Sequence, residues 1–146
     1  MSGPATVRPR TLGHRGYTAS APCAPQTVGA ARDLARMALT TWAVDSRTIE
    51  TAVQIMSELA TNAITHTHTH TGTLRLVVDH PDTRRVFLAV VDRAPGLLPH
   101  RRDPGPADTS GRGLLIVAAV ADRWGYDLLG GGRPWGKRVW AELGVS

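Results

Sequence analysis

Apolar residues recur at helical spacing through residues 49–66, and they predict one amphipathic helix near the middle of the chain. At about 100° per residue they fall within an arc of about 140°, which indicates a buried face. The residues of this arc are Ile49, Ala52, Val53, Met56, Leu59, Ala60, Ala63 and Ile64. Glu58 and Asn62 lie nearly opposite the arc and one helical turn apart, so they are neighbours on the helix surface.

The pair formed by Glu58 and Asn62 has two interpretations. A carboxylate and an amide oxygen suit Mg²⁺, which prefers oxygen ligands and often shares them with substrate phosphates. Polar residues opposite an apolar stripe are more often a solvated helix face, and the helix taken alone favours that second interpretation.

The segment before this helix is predicted to be helical as well. Residues 25–42 repeat apolar positions at helical spacing, and Asp45 or Ser46 can cap the start of the helix that follows. Further along, apolar positions alternate in residues 73–79, whereas residues 86–91 are apolar throughout. This predicts a β-hairpin whose second strand is buried on both faces and ends at Asp92.

A proline-rich segment of residues 94–110 comes next, and its length is typical of a functional loop such as a lid. A third helix is predicted after Gly111 and Gly113, and residues 124–129 and 138–143 are predicted to form a closing hairpin. This order predicts an α+β fold: a two-layer sandwich in which three helices cover one face of a mixed, mostly antiparallel sheet.

The chain has 146 residues, 42% of them hydrophobic and 20% charged, which is enough for one globular domain. Residues 1–14 lack periodicity and are predicted to be a flexible tail, so the single domain is predicted to span residues 15–146. No apolar run is long enough to span a membrane and no apolar leader follows the first basic residues, so we expect a cytoplasmic protein.

The formal net charge of +5 raises nucleic-acid binding as an alternative, because a basic surface attracts phosphate groups. The basic residues are scattered through turns and ends, few aromatic residues lie among them, and no helix-turn-helix or zinc-finger pattern occurs. We therefore do not expect nucleic-acid binding.

Two local patterns imitate known sites. Residues 131–137, GGRPWGK, satisfy most of a phosphate-loop pattern, but Arg138 stands where a serine or threonine is required and a strand where a helix is required. His66, His68 and His70 alternate with threonine and would share one side of an extended segment, but no fourth metal ligand is near and the composition favours a loop.

Gly111 and Gly113 are a more credible phosphate site. Glycine lets the backbone approach an anion closely, and the N-terminus of a helix presents free N–H groups. On their own, these glycines are better explained by a plain turn that enters a helix.

Three motifs in succession carry a family resemblance. ELATNAITH (58–66), VVDRAPG (90–96) and GRGLLIV (111–117) resemble the N box and the two glycine boxes of the histidine-kinase-like ATPase superfamily. The closing segment, residues 123–143, resembles the C-terminal strands of its small bacterial members, the anti-sigma-factor serine/threonine kinases. The resemblance covers residues 15–143, and three ordered motifs are more specific than any one of them.

The resemblance implies that ATP and Mg²⁺ are bound. Asn62 would coordinate Mg²⁺, and Glu58 would polarise a water molecule or the incoming hydroxyl group. Asp92 would accept a hydrogen bond from the adenine amino group, and Gly96 would let the backbone pass beneath the base. The start of the second glycine box would hold the phosphates, and it consists of Gly111, Arg112, Gly113 and Leu114.

The chain departs from the family pattern at three positions. Ala94 and Pro95 lie in the first glycine box, where Asp-x-Gly-x-Gly is usual, and this is expected to weaken adenine binding. Arg138 stands where the family often has a threonine, which would remove a hydroxyl group from near the nucleotide.

The leading hypothesis is an ATP-dependent regulatory kinase that transfers the γ-phosphate of ATP to a serine or threonine of an anti-sigma-factor antagonist. A sigma factor would be its second partner. The alternative is a non-catalytic module of the same fold that sequesters a protein partner. A homodimer is compatible with either hypothesis.

Overall fold

A computed structural model describes residues 5–10, 13–66, 72–95 and 109–145, and for residues 66 and 109–114 it describes the backbone alone. Within these ranges the chain forms six strands and three helices. In order they are β1 (Thr6–Pro9), β2 (Arg15–Pro22), α1 (Thr27–Thr41), α2 (Ser46–His66), β3 (Thr73–Asp82), β4 (Arg85–Asp92), α3 (Thr109–Val120), β5 (Arg123–Leu129) and β6 (Gly136–Gly144). None of the described helices is long and apolar enough to cross a membrane.

The six strands form one sheet in the order β1-β2-β3-β4-β6-β5, and every neighbouring pair is antiparallel. The predicted α+β class and the predicted succession of elements from α1 onward are confirmed. The prediction of a mixed sheet is not, because no parallel pair occurs among the described strands. Consecutive strands joined by short turns pair antiparallel, and here the strands at the centre of the sheet follow that rule.

Strand β1 lies within residues 1–14, for which the sequence predicts a flexible tail. All its side chains are exposed, and backbone pairing with β2 holds it, from Thr6 opposite Ser20 to Pro9 opposite Tyr17. An edge strand without buried side chains leaves no hydrophobic period in the sequence, so the pattern does not predict it. The sheet thus begins before residue 15.

Helix α2 begins at Ser46, earlier than the apolar pattern indicates, because Asp45 caps it. The Asp45 carboxylate accepts hydrogen bonds from the Thr48 backbone N–H at 3.0 Å and from the Thr48 hydroxyl at 2.7 Å. These bonds satisfy a donor that the first turn of a helix leaves free. Of the two predicted caps, Asp45 is the one observed.

Helix α2 packs against α1, α3 and strand β4. All residues of the predicted apolar arc are buried, and Ile55, which lies outside the arc, is buried as well. One core joins these residues to alternate residues of β2, β3, β4 and β6, and to residues of α1 and α3. The arrangement in two layers, with all three helices on one face, stays a prediction.

Candidate functional site

Several chain segments meet at one end of the sheet. Strand β4 ends there at Asp92, which pairs with Lys137 at the start of β6. The start of β3 lies at the same end, since Arg75 pairs with Val91. Helix α2 precedes β3 along the chain and packs against β4.

Helix α3 ends near the opposite end of the sheet. Just after the helix, the Asp122 backbone N–H donates to the Glu142 carbonyl at 2.9 Å, close to the far end of β6. The 12 residues of α3 span about 18 Å, and the helix packs against α2.

The second glycine box forms the beginning of α3 rather than preceding it. The sequence predicts the helix after Gly113, whereas α3 begins at Thr109 and includes Gly111, Arg112, Gly113 and Leu114. The first N–H groups of a helix have no partner within it, so amide groups of this turn remain suited to an anion.

Three positions singled out in the sequence lie outside the described residues: Gly96, His68 and His70. Among the residues that the structure describes, no group of three or more His, Cys, Asp or Glu is placed to hold a metal ion. A metal ion at this site would therefore need ligands that a nucleotide or water supplies.

Asn62 is buried, with 4% of its surface exposed, so the interpretation as a solvated helix face is wrong for this residue. Its Nδ2 has no hydrogen-bond partner among the described residues. Buried side-chain amides are nearly always hydrogen-bonded, so an unpartnered one marks a place for a ligand. Rotation of the amide exchanges its nitrogen and oxygen, so the side chain can turn an oxygen toward a metal ion.

Glu58 lies one turn before Asn62 and is half-buried. Burial disfavours the charged form of a carboxyl group, and it raises the pKa of Glu58 above the ordinary value. A carboxylate with a raised pKa accepts a proton more readily, which suits a general base.

Asp92 and Lys137 form a buried ion pair, and they are 2% and 1% exposed. Lys137 Nζ lies 2.8 Å from Asp92 Oδ2 but directs its hydrogen bond to Oδ1, at 3.0 Å. Oδ1 also accepts the Ala94 backbone N–H at 2.7 Å, and Lys137 donates to the Ala94 carbonyl at 2.9 Å. The proposed adenine acceptor is thus held within the chain, while its Oδ2 receives no directed hydrogen bond from the described residues.

Arg138 takes no part in this cluster. Successive strand residues point to opposite faces, so Lys137 faces the core and Arg138 faces the other side of the sheet. There Arg138 lies 2.6 Å from Asp127 Oδ2 and over the Phe87 ring, 5.7 Å from its centroid. The strand residue that bears on the site is therefore Lys137, not Arg138 as the sequence predicts.

A model of the histidine kinase-like ATPase domain matches residues 21–142, from strand β2 to strand β6. The chain belongs to this family. The matched range contains Glu58, Asn62, Asp92 and the start of α3, and membership implies that the domain binds ATP. A search of curated proteins found no match.

The residues of this ATPase domain fit a nucleotide. Among the described side chains, four buried polar atoms lack a hydrogen-bond partner: Asn62 Nδ2, Asp92 Oδ2, Asp79 Oδ1 and His14 Nε2. The last two lie together near Arg10, which is 2.7 Å from Asp79. The first two belong to the N box and the first glycine box, and a base or a hydrated metal ion would supply the partners they lack.

Lys137 is the site residue that the sequence analysis missed, since it enters there only as the end of a rejected phosphate loop. That rejection is confirmed, because β6 begins at Gly136 and a strand follows the lysine. Strand alternation contained the missing signal. Lys137 shares its face with the apolar residues Val139, Ala141 and Leu143, so its side chain had to enter the core.

Gly136 lets β6 approach the end of β4, and this yields a first prediction. A Cβ at residue 136 would lie 2.3 Å from the Asp92 carbonyl oxygen, a backbone atom that would have to move. We expect Gly136→Ala to lower the free energy of unfolding by about 1–3 kcal/mol and to weaken ATP binding. Gly132→Ala is the matched control, because no atom lies within 4 Å of its Cβ. Urea unfolding and ATP titration that fail to separate the two variants would contradict this prediction.

The raised pKa of Glu58 makes the stability of the ligand-free domain depend on pH. The folded state holds this proton more tightly than the unfolded chain, so the contribution is present below the ordinary value of 4.5 and lost as the pH rises through the folded pKa. As the pH rises through that range, we expect the free energy of unfolding of Glu58→Gln to increase relative to that of wild type. Urea unfolding at a series of pH values measures the difference, and a difference independent of pH would refute the assignment.

Proposed function

We propose that this ATPase domain binds Mg·ATP and transfers the γ-phosphate to a serine or threonine of an anti-sigma-factor antagonist, with a sigma factor as its second partner. The observation that carries the proposal is the pair on α2. Asn62 offers a buried amide whose Nδ2 has no hydrogen-bond partner in the described part of the chain, and Glu58, one turn away, offers a carboxyl group with a raised pKa. Because the reaction consumes ATP, we propose that the domain works in the cytoplasm.

Each group has one role in the proposed reaction. Asn62 holds Mg²⁺, which neutralises phosphate charge when it is bound, and the amide groups at the start of α3 bind phosphate oxygens. Glu58 takes the proton of the attacking hydroxyl group while that oxygen bonds to the γ-phosphorus and the bond to the ADP oxygen breaks. Phosphoryl transfer requires mainly positioning and charge neutralisation, and these groups supply both.

A non-catalytic module that sequesters a protein partner is the second candidate. The observation in its favour is the ion pair, in which Lys137 already occupies one oxygen of Asp92. Ala94 and Pro95, which follow Asp92, also replace residues where the family usually has flexibility. Under this alternative the domain binds its partner and transfers no phosphate.

The proposal predicts that ATP binding depends on Mg²⁺ through Asn62. In calorimetric titrations we expect wild type to bind ATP more tightly with Mg²⁺, and Asn62→Ala to lose that gain, at least about tenfold. Thr61→Ala is the control, because Thr61 is exposed on the same helix. Absence of ATP binding by wild type would exclude the kinase, and Mg²⁺-dependent binding that ignores Asn62 would exclude its role as a ligand.

The role of Glu58 is tested by phosphate transfer. With γ-labelled ATP and a candidate antagonist protein, we expect Glu58→Gln to transfer label about 10²- to 10⁴-fold more slowly than wild type. The dissociation constant of this variant for ATP should stay close to the wild-type value, because Glu58 is proposed to act only when the hydroxyl group attacks the γ-phosphate. Wild type that binds ATP and antagonist but transfers no label would support the sequestering module instead.

A further inference from the structure

Lys137 is the least expected side chain in the structure. It lies at the start of β6, on the strand face that continues with core residues, and 1% of its surface is exposed. Lysine is almost never fully buried unless it is paired, and a buried pair is seldom more stable than apolar residues of similar volume. Stability alone therefore gives little reason for a lysine at this position.

The hydrogen bonds of the pair treat the two oxygens of Asp92 differently. Asp92 Oδ1 receives two donors, the Ala94 N–H at 2.7 Å and Lys137 Nζ at 3.0 Å. The same lysine is anchored on the Ala94 carbonyl at 2.9 Å, so the turn and the strand together fix the plane of the carboxylate. Asp92 Oδ2 is buried and lies 2.8 Å from the same ammonium group, but no donor among the described residues directs a hydrogen bond to it.

We propose that Lys137 is a positioning residue for base recognition: it clamps Asp92 Oδ1 so that Oδ2 stands as the acceptor for the exocyclic amino group of the base. The inference rests on the proposed function, because it assumes that ATP binds at Asp92. Without the lysine, the carboxylate keeps one tether at Ala94 and gains freedom to rotate, and its charge is left buried without a partner.

The clamp makes the site selective for the group at carbon 6 of the purine. An amino group at carbon 6 donates a hydrogen bond to Oδ2. A hydrogen atom at this position leaves Oδ2 without that hydrogen bond, and a carbonyl oxygen faces Oδ2 with a partial charge of the same sign. Sites built to hydrogen-bond a group reject analogues that lack it, because their buried polar atoms then stay unpaired. ATP, purine riboside triphosphate and inosine triphosphate carry these three groups on otherwise similar molecules.

The decisive measurement is the dissociation constant of each nucleotide, with Mg²⁺, for wild type and Lys137→Met. We expect wild type to prefer ATP over purine riboside triphosphate by about 10- to 100-fold. In Lys137→Met the affinity for ATP should fall about tenfold, while that for the purine analogue stays unchanged. Arg138→Met is the matched control, since this neighbouring residue makes the same exchange on the opposite face of the sheet, and it should keep the preference.

A merely structural lysine gives a different result: both nucleotides would weaken equally in Lys137→Met, and that outcome would overturn the proposal. Wild type that binds ATP without preferring it to the analogue would overturn it too, while leaving the proposed function intact. Wild type that binds no ATP would instead remove the proposed function.

If Lys137→Met does not fold, Asp92→Asn tests the proposed role of Lys137 instead. The Ala94 N–H and Lys137 Nζ both donate to the Oδ1 position, so we expect the amide oxygen of the asparagine to lie there. The amide nitrogen then takes the place of Oδ2. A donor then faces the base, and we expect the preference to turn from ATP to inosine triphosphate. Retention of the preference for ATP in this variant would overturn the clamp.

Discussion

Helix α2 packs against other elements over more than its apolar arc, and the candidate site depends on that packing. Helices α1 and α3 and strand β4 all contact it, and some polar residues outside the arc are removed from water, whereas Gln54, Thr61 and Thr65 stay exposed. Asn62 becomes buried and Glu58 half-buried as a result. Desolvation raises the pKa of Glu58 and leaves the Asn62 amide in need of a partner. The chemistry of this helix therefore comes from its neighbours as much as from its own residues.

The other part of the site is built from strand ends, and a buried charge governs it. Loss of one member of a buried ion pair costs about 3–5 kcal/mol, because the remaining charge has no partner. Asp92 and Lys137 can therefore be replaced together far more easily than singly. The ion pair also depends on Gly136. Because this residue has no Cβ, β6 can approach the backbone of Asp92 closely enough for Lys137 to reach the carboxylate.

Sequence patterns predict those features that one element determines by itself. The order of the elements, the arc of α2, the cap at Asp45 and the position of Asp92 after a buried strand all follow from local periodicity and capping. The burial of Asn62 does not, because it depends on how other elements pack against α2. Strand β1 does not either, because backbone pairing alone holds it. The burial of Lys137 was predictable from strand alternation. The prediction was not made because Lys137 was interpreted as the end of a phosphate-loop pattern and not by its position in the strand.

The two candidate functions make different demands on these buried groups. A half-buried carboxyl at Glu58, with no ion pair among the described residues, lowers the stability of the fold once it is ionised. A module that only sequesters a partner gains nothing from this, and a glutamine would serve it better. A kinase gains from a carboxylate that takes a proton from the attacking hydroxyl group, and a raised pKa makes this transfer more favourable. Glu58 therefore favours the catalytic function, even though the Asp92–Lys137 pair alone would serve either one.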